Sequence, residues 1–228
     1  MNSAFNPIVT SDKPRPSQAA SWRSDAVIHG PRLLVFGGTF DPPTTAHTFI
    51  AATAANALGV DQTLWVPNQI SPWKQGEPLT APEHRIAMIN AAIAGHVQMS
   101  VCTLETDVLG PSYTFETLAS LRRAAPMAQL WFLCGADVLS GLPSFKNALE
   151  IVSHVRIAAF DRPGYAAVEQ IVCTMPPLWQ AAIDPIVTPT PVDVSSTAIR
   201  KRLQEGRSVS GLITESIENY IKDHGLYR

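Results

Sequence analysis

The sequence predicts an α/β fold, a doubly wound parallel sheet with helices on both faces, and three observations carry that expectation. Short, uninterrupted apolar runs recur, such as Leu33-Leu34-Val35-Phe36 and residues 130–134. Runs of that kind belong to strands buried on both faces. Segments of helical composition separate them, and repeated strand-then-helix order argues for a parallel sheet. The first run ends on Gly37-Gly38 just before a helix begins. In such folds the crossovers are right-handed and the site lies beyond the carboxyl ends of the strands.

The elements follow in order. Residues 33–36 form the first strand. Residues 46–58 are Ala-rich and stop at Gly59, as a helix does. Residues 63–66 read as the second strand, closed by Pro67. Thr80-Ala81-Pro82-Glu83 has the form of a capping box with proline in the first turn, opening a helix to about residue 94. Residues 97–104 alternate like a strand. A helix over 114–125 stops at Pro126, and a strand over 130–134 stops at Gly135. A helix over 145–152, a strand over 155–160 and helices over 196–204 and 214–224 complete the pattern.

A chain of 228 residues suits one such domain. Residues 1–30, rich in Pro, Ser, Asn and Asp without an apolar period, read as a disordered arm, and residues 31–228 as a single domain. The net charge of −2 excludes a global basic field for nucleic acid. No apolar run reaches membrane-spanning length and no secretory signal opens the chain. Cys102, Cys134 and Cys173 are odd in number and form no CxxC pair, so zinc is not expected. They read as buried thiols in a reducing cytoplasm. A homo-oligomer is left open.

The segment Gly37-Gly38-Thr39-Phe40-Asp41-Pro42-Pro43-Thr44-Thr45-Ala46-His47 leaves the first strand and enters the first helix. Two glycines admit a close backbone approach, and a helix start offers free N–H groups and a positive dipole end. Both suit a phosphate, and His47 in the first turn can aim a ring N–H at it. Neither GxGxxG nor a Gly-Lys-Ser/Thr phosphate loop is present. Near the other end, Val194-Ser195-Ser196-Thr197-Ala198-Ile199-Arg200 has the makings of a second helix N-terminus, with hydroxyls for capping or for phosphate and Arg200 one turn on. Alone, each segment also fits an ordinary cap and turn.

Together they resemble the nucleotidyltransferase superfamily of Rossmann-like folds. Its (H/T)xGH signature corresponds to Thr44-Thr45-Ala46-His47, with Ala46 for the usual glycine, and its ISSTxxR signature to residues 194–200. A methyl at Ala46 is expected to narrow the space beside the nucleotide. Further segments are similar to bacterial nicotinate-nucleotide adenylyltransferases: Pro111-Ser112-Tyr113-Thr114 to PSYT, Gly135-Ala136-Asp137 to GxD, Leu142-Pro143-Ser144-Phe145 to LPxW, and Arg162-Pro163-Gly164-Tyr165 to RPGY. Pro72-Trp73-Lys74 corresponds to PHK, with Trp73 for the histidine.

The resemblance implies adenylyl transfer from ATP, with Mg²⁺, to nicotinate mononucleotide, in NAD biosynthesis. It implies His47, Lys74 and Arg200 as catalytic groups. Gly37, Gly38, Thr39, Phe40, Thr44, Ser195, Ser196 and Thr197 would join His47 and Arg200 around ATP. Backbone N–H groups at Ser112, Tyr113 and Thr114 would hold the nicotinate carboxylate, with Asp137 on ribose, Phe145 stacked on the pyridine and Arg162 on the mononucleotide phosphate. No protein metal cage is expected. Nicotinamide mononucleotide or phosphopantetheine as acceptor, and a non-catalytic nucleotide-binding protein of the same fold, stay open.

Overall fold

A computed structural model of the chain describes residues 28–70, 79–108, 110–187 and 194–228. Nearly all of the expected arm lies outside them. Residues 28–30 instead belong to the domain, where Ile28 packs on the core and the His29 N–H donates to Gln62 at 2.7 Å.

Among the described residues six strands, β1 (Arg32–Gly38), β2 (Gln62–Pro67), β3 (Met99–Val101), β4 (Gln129–Gly135), β5 (Arg156–Phe160) and β6 (Ile183–Ile186), form one sheet in the order β3-β2-β1-β4-β5-β6. Every pairing is parallel. The order reverses direction between β1 and β4, and a crevice opens at the carboxyl ends of strands where that happens.

Side chains alternate along each strand, so each strand feeds two cores. Leu33, Val35, Phe132 and Ile157 face α3 (Thr114–Ala124), α5 (Ala148–His154) and the short helices α4 (Ala136–Gly141), α6 (Val168–Cys173) and α7 (Pro177–Ala182). Leu34, Phe36, Trp131 and Ala158 face α1 (Thr45–Leu58), α2 (Pro82–Ile93), α8 (Ser196–Gln204) and α9 (Glu215–Asp223). The doubly wound expectation is met. No described helix is long and apolar enough to cross a membrane.

Several local expectations are corrected. The capping box at Thr80 does not form: α2 opens after Ala81 without a side-chain cap, because Thr80 donates its N–H to Asp41 and gives its carbonyl to Arg85. The strand expected over 97–104 shrinks to β3, a sheet edge, with Val97 fully exposed. Phe145 is extended rather than helical, following a 3₁₀ turn at Leu142–Ser144. Cys173 is exposed, unlike Cys102 and Cys134. The strand β6 was not expected, since Asp184 and Pro185 interrupt it. Its edge position tolerates proline, and Trp131 Nε1 (2.9 Å) and Arg156 Nε (2.6 Å) both bind Asp184 across the sheet.

Candidate active site

The crevice at the switch point is a cavity of about 620 Å³, ample for a ligand of nucleotide size. Its first wall is the turn after β1. Phe40 holds a left-handed backbone (φ 50°) that swings its ring back over Gly38. A Cβ at Gly38 would sit 2.9 Å from that ring, so glycine is required there. At Gly37 a Cβ would meet only Phe132, at 3.6 Å. The Phe40 ring also packs edge-on against Phe36 and His47.

His47 is set by its own helix cap. Thr44 caps α1, and the Thr44 N–H donates to His47 Nδ1 at 2.9 Å. A ring nitrogen that accepts carries no proton, so the neutral ring has its hydrogen on Nε2. His47 itself lines the cavity. Burial, helped by the charge of Arg162, pulls the His47 pKa down to about 4. Relative to an unfolded value near 6.5 the neutral ring is favoured, and this contribution to stability is whole above pH 6.5 and lost as pH falls toward 4. The expected NMR result for the ligand-free chain is a His47 ring resonance that stays flat from about pH 8 to 5. A midpoint near 6.5 would contradict the burial argument.

Two residues expected near ATP stand elsewhere. Thr44 is 1% exposed and does not line the cavity; it orients His47 instead. Ala46 is also buried away from the cavity, so its methyl does not narrow the nucleotide space.

The turn is held from behind by Arg85 and Tyr227, which sequence reasoning left unassigned, together with Asp41. Arg85 is fully buried and donates to the carbonyls of Thr39 (Nη1, 2.9 Å) and Thr80 (Nε, 2.9 Å). Burial lowers its pKa, opposed first by the charge of Asp41. Asp41, 2% exposed, accepts from the Thr80 N–H and from the Tyr227 hydroxyl. Burial first, and then the bond to Asp41, pushes the Tyr227 phenol up, so it stays a donor.

The N-terminus of α8 faces the same turn. Ser195 caps the helix by accepting from the Ala198 N–H at 3.1 Å. Ser196 Oγ donates to the Pro42 carbonyl (2.8 Å) and Arg200 Nη1 to the Asp41 carbonyl (2.8 Å). The two sequence signatures, about 150 residues apart in the chain, are thus stitched together. Ser195, Ser196, Thr197 and Arg200 all line the cavity, as do Gly37, Gly38 and Thr39.

The opposite wall rises from β4 and α3. A Cβ at Gly135 would lie 2.5 Å from Asp137 Oδ1, so glycine makes room for that carboxylate. Asp137 Oδ2 pairs with Arg162, while its buried Oδ1 has no hydrogen-bond partner. Ser112, Tyr113, Thr114 and Phe145 line the far end. Two residues there were missed in the sequence. Glu105 accepts from Thr117 Oγ1 at 2.6 Å, and burial pushes its carboxyl up. Lys146 lies over the Tyr113 ring. Trp73 and Lys74 fall outside the described residues.

Comparison with known proteins decides the relationship. The cytidylyltransferase-like family model matches residues 35–202. The nicotinate-nucleotide adenylyltransferase of Bacillus subtilis is 34% identical over 196 residues, covering 86% of this chain and 98% of the relative. The probable nicotinate-nucleotide adenylyltransferase of Geobacillus thermodenitrificans is likewise 34% identical, over 86% of each chain. The chain belongs to the nicotinate-nucleotide adenylyltransferase family. The Plasmodium falciparum nicotinic acid mononucleotide adenylyltransferase complexed with APC superimposes with a TM-score of 0.73, at 20% identity, over 87% of this chain and 98% of that one. At that identity the match speaks for the fold, and the family's fold is the one observed.

Proposed function

We propose that the chain transfers the adenylyl group of ATP to nicotinate mononucleotide, giving nicotinate adenine dinucleotide and pyrophosphate, in NAD biosynthesis. The observation that carries this reading is the convergence on one cavity of the neutral His47, the α8 N-terminus with Arg200, and Asp137, whose Oδ1 has no partner. The names of the curated relatives support the acceptor, as does the match to a Plasmodium falciparum adenylyltransferase complexed with NaAD.

In this mechanism a 5′-phosphate oxygen of the mononucleotide forms a bond to the α-phosphorus of ATP. The bond from that phosphorus to the bridging oxygen breaks in line, and pyrophosphate leaves with the electron pair. A phosphate monoester dianion needs no base, so the protein contributes position and charge. His47 Nε2–H donates to an α-phosphate oxygen as charge develops. Arg200 and the free N–H groups at Ser195, Ser196 and Thr197 hold the β- and γ-phosphates. The motif alone assigns Lys74 to the same phosphates.

Gly37, Gly38 and Thr39 bring backbone close to the nucleotide, with Phe40 shaping the turn. Asp137 accepts from a ribose hydroxyl, Arg162 turns to the mononucleotide phosphate, and Phe145 stacks on the pyridine. The first turn of α3 receives the carboxylate. Among the described residues no group of three or more His, Cys, Asp or Glu could hold a metal ion, and both Asp41 oxygens are already hydrogen-bonded. Mg²⁺ would enter with ATP as part of that substrate, where phosphates and water offer the hard oxygen ligands it prefers.

Pyrophosphate release with ATP and Mg²⁺ tests the reading, with nicotinate mononucleotide, nicotinamide mononucleotide and phosphopantetheine as acceptors. Preference for the first is expected. Preference for another acceptor would keep the chemistry and void the substrate. No release with any of them would favour a nucleotide-binding protein without catalysis.

A further inference from the structure

The far end of the cavity holds a cation that no motif assigns. Lys146 follows the 3₁₀ turn and its ammonium lies 4.5 Å from the Tyr113 ring centroid and 5.5 Å from that of Phe115. These two rings flank the start of α3, and Lys146 and Tyr113 both line the cavity. The aromatic faces attract the ammonium of this half-exposed side chain and hold it at the edge of the cavity. Its acidic neighbour is Glu116, at 3.8 Å, with side chains 52% and 39% exposed.

We propose that Lys146 is a specificity-determining residue that favours an acidic over a neutral pyridine ring in the acceptor. The proposal rests on the adenylyl-transfer reading above and deepens it. Backbone N–H groups at a helix start bind a carboxylate, but they also bind the carbonyl oxygen of an amide, so they separate the two poorly. A full positive charge separates them by net charge. The competing pair with Glu116 is exposed and weak. A ligand carboxylate drawn into a partly dry cavity interacts more strongly. The other acid at this end, Glu105, is bonded to Thr117, and burial pushes its carboxyl up, toward the neutral form. It therefore opposes an acidic ligand less than a solvated carboxylate would.

The test is kcat/KM for nicotinate mononucleotide and for nicotinamide mononucleotide in the unaltered chain, Lys146→Met and Lys146→Arg. In Lys146→Met the acid-over-amide preference is expected to fall about five- to tenfold, through KM for the acid, while the loss with the amide stays under twofold. Lys146→Arg keeps the charge and restores the preference. Raising ionic strength erodes the preference of the unaltered chain and not that of Lys146→Met. An unaltered chain that prefers the acid, beside a Lys146→Met variant with the same preference or with equal losses for both acceptors, overturns the assignment of Lys146 alone. An unaltered chain that does not discriminate between them overturns both the acceptor and the role of Lys146.

Discussion

Replacing His47 with alanine is expected to lower turnover by at least about a hundredfold while leaving the thermal transition in place. The expectation follows from how the ring is held. Thr44 fixes Nδ1 as an acceptor, so Nε2 carries the only ring proton, and the ring sits in the cavity wall. A donor oriented in advance costs no reorganisation as charge builds on the α-phosphate. The core contacts of α1 run through Ile50, Ala51 and Ala54, so the helix outlasts the change. Steady-state kinetics beside a melting curve checks both halves. A folded variant with near-normal turnover would remove His47 from the chemistry.

The second large effect is on stability. Arg85→Ala is expected to cost about 3–5 kcal/mol, since two buried carbonyls lose a charged donor at about 1.5–3 kcal/mol each. For a chain of this size that is a fall of roughly 10 °C in Tm. Arg85 satisfies the carbonyls of Thr39 and Thr80 and faces the Asp41 charge, and each is left uncompensated in the variant. Because Thr39 begins the nucleotide-binding turn, KM for ATP should rise as well. Denaturant unfolding with a change below about 1 kcal/mol would mean that water replaces the guanidinium without loss.

These two residues mark what the sequence can and cannot reveal. His47 was legible because its neighbours are local: the glycine pair, the threonine cap and the histidine lie within eleven residues and form one strand-to-helix turn. Asp137 and Arg200 were legible for the same reason, each at a strand or helix end. Arg85 was not, because its partners Thr39 and Asp41 are more than 40 residues away and nothing in the helical pattern of α2 marks it. Tyr227 reaches Asp41 across 186 positions. Thr80 looked like a cap and serves the turn instead, which no local rule separates. Lys146 reads as surface until α3 is seen beneath it. The sheet itself was legible from its apolar runs, except β6, whose Asp184 and Pro185 make sense only at an edge held by Trp131 and Arg156.

The proposed reaction is a single direct transfer, made by positioned groups with no covalent adenylyl-enzyme. The buried Cys134 thiol, its pKa pushed up by burial and then by Asp137, is no nucleophile in such a scheme. The most direct test uses ATP made chiral at the α-phosphorus by one sulfur, with nicotinate mononucleotide as acceptor, and reads the configuration at that phosphorus in the dinucleotide. One in-line displacement predicts inversion. Retention would require two displacements through the protein and would contradict direct transfer, as would the absence of any dinucleotide.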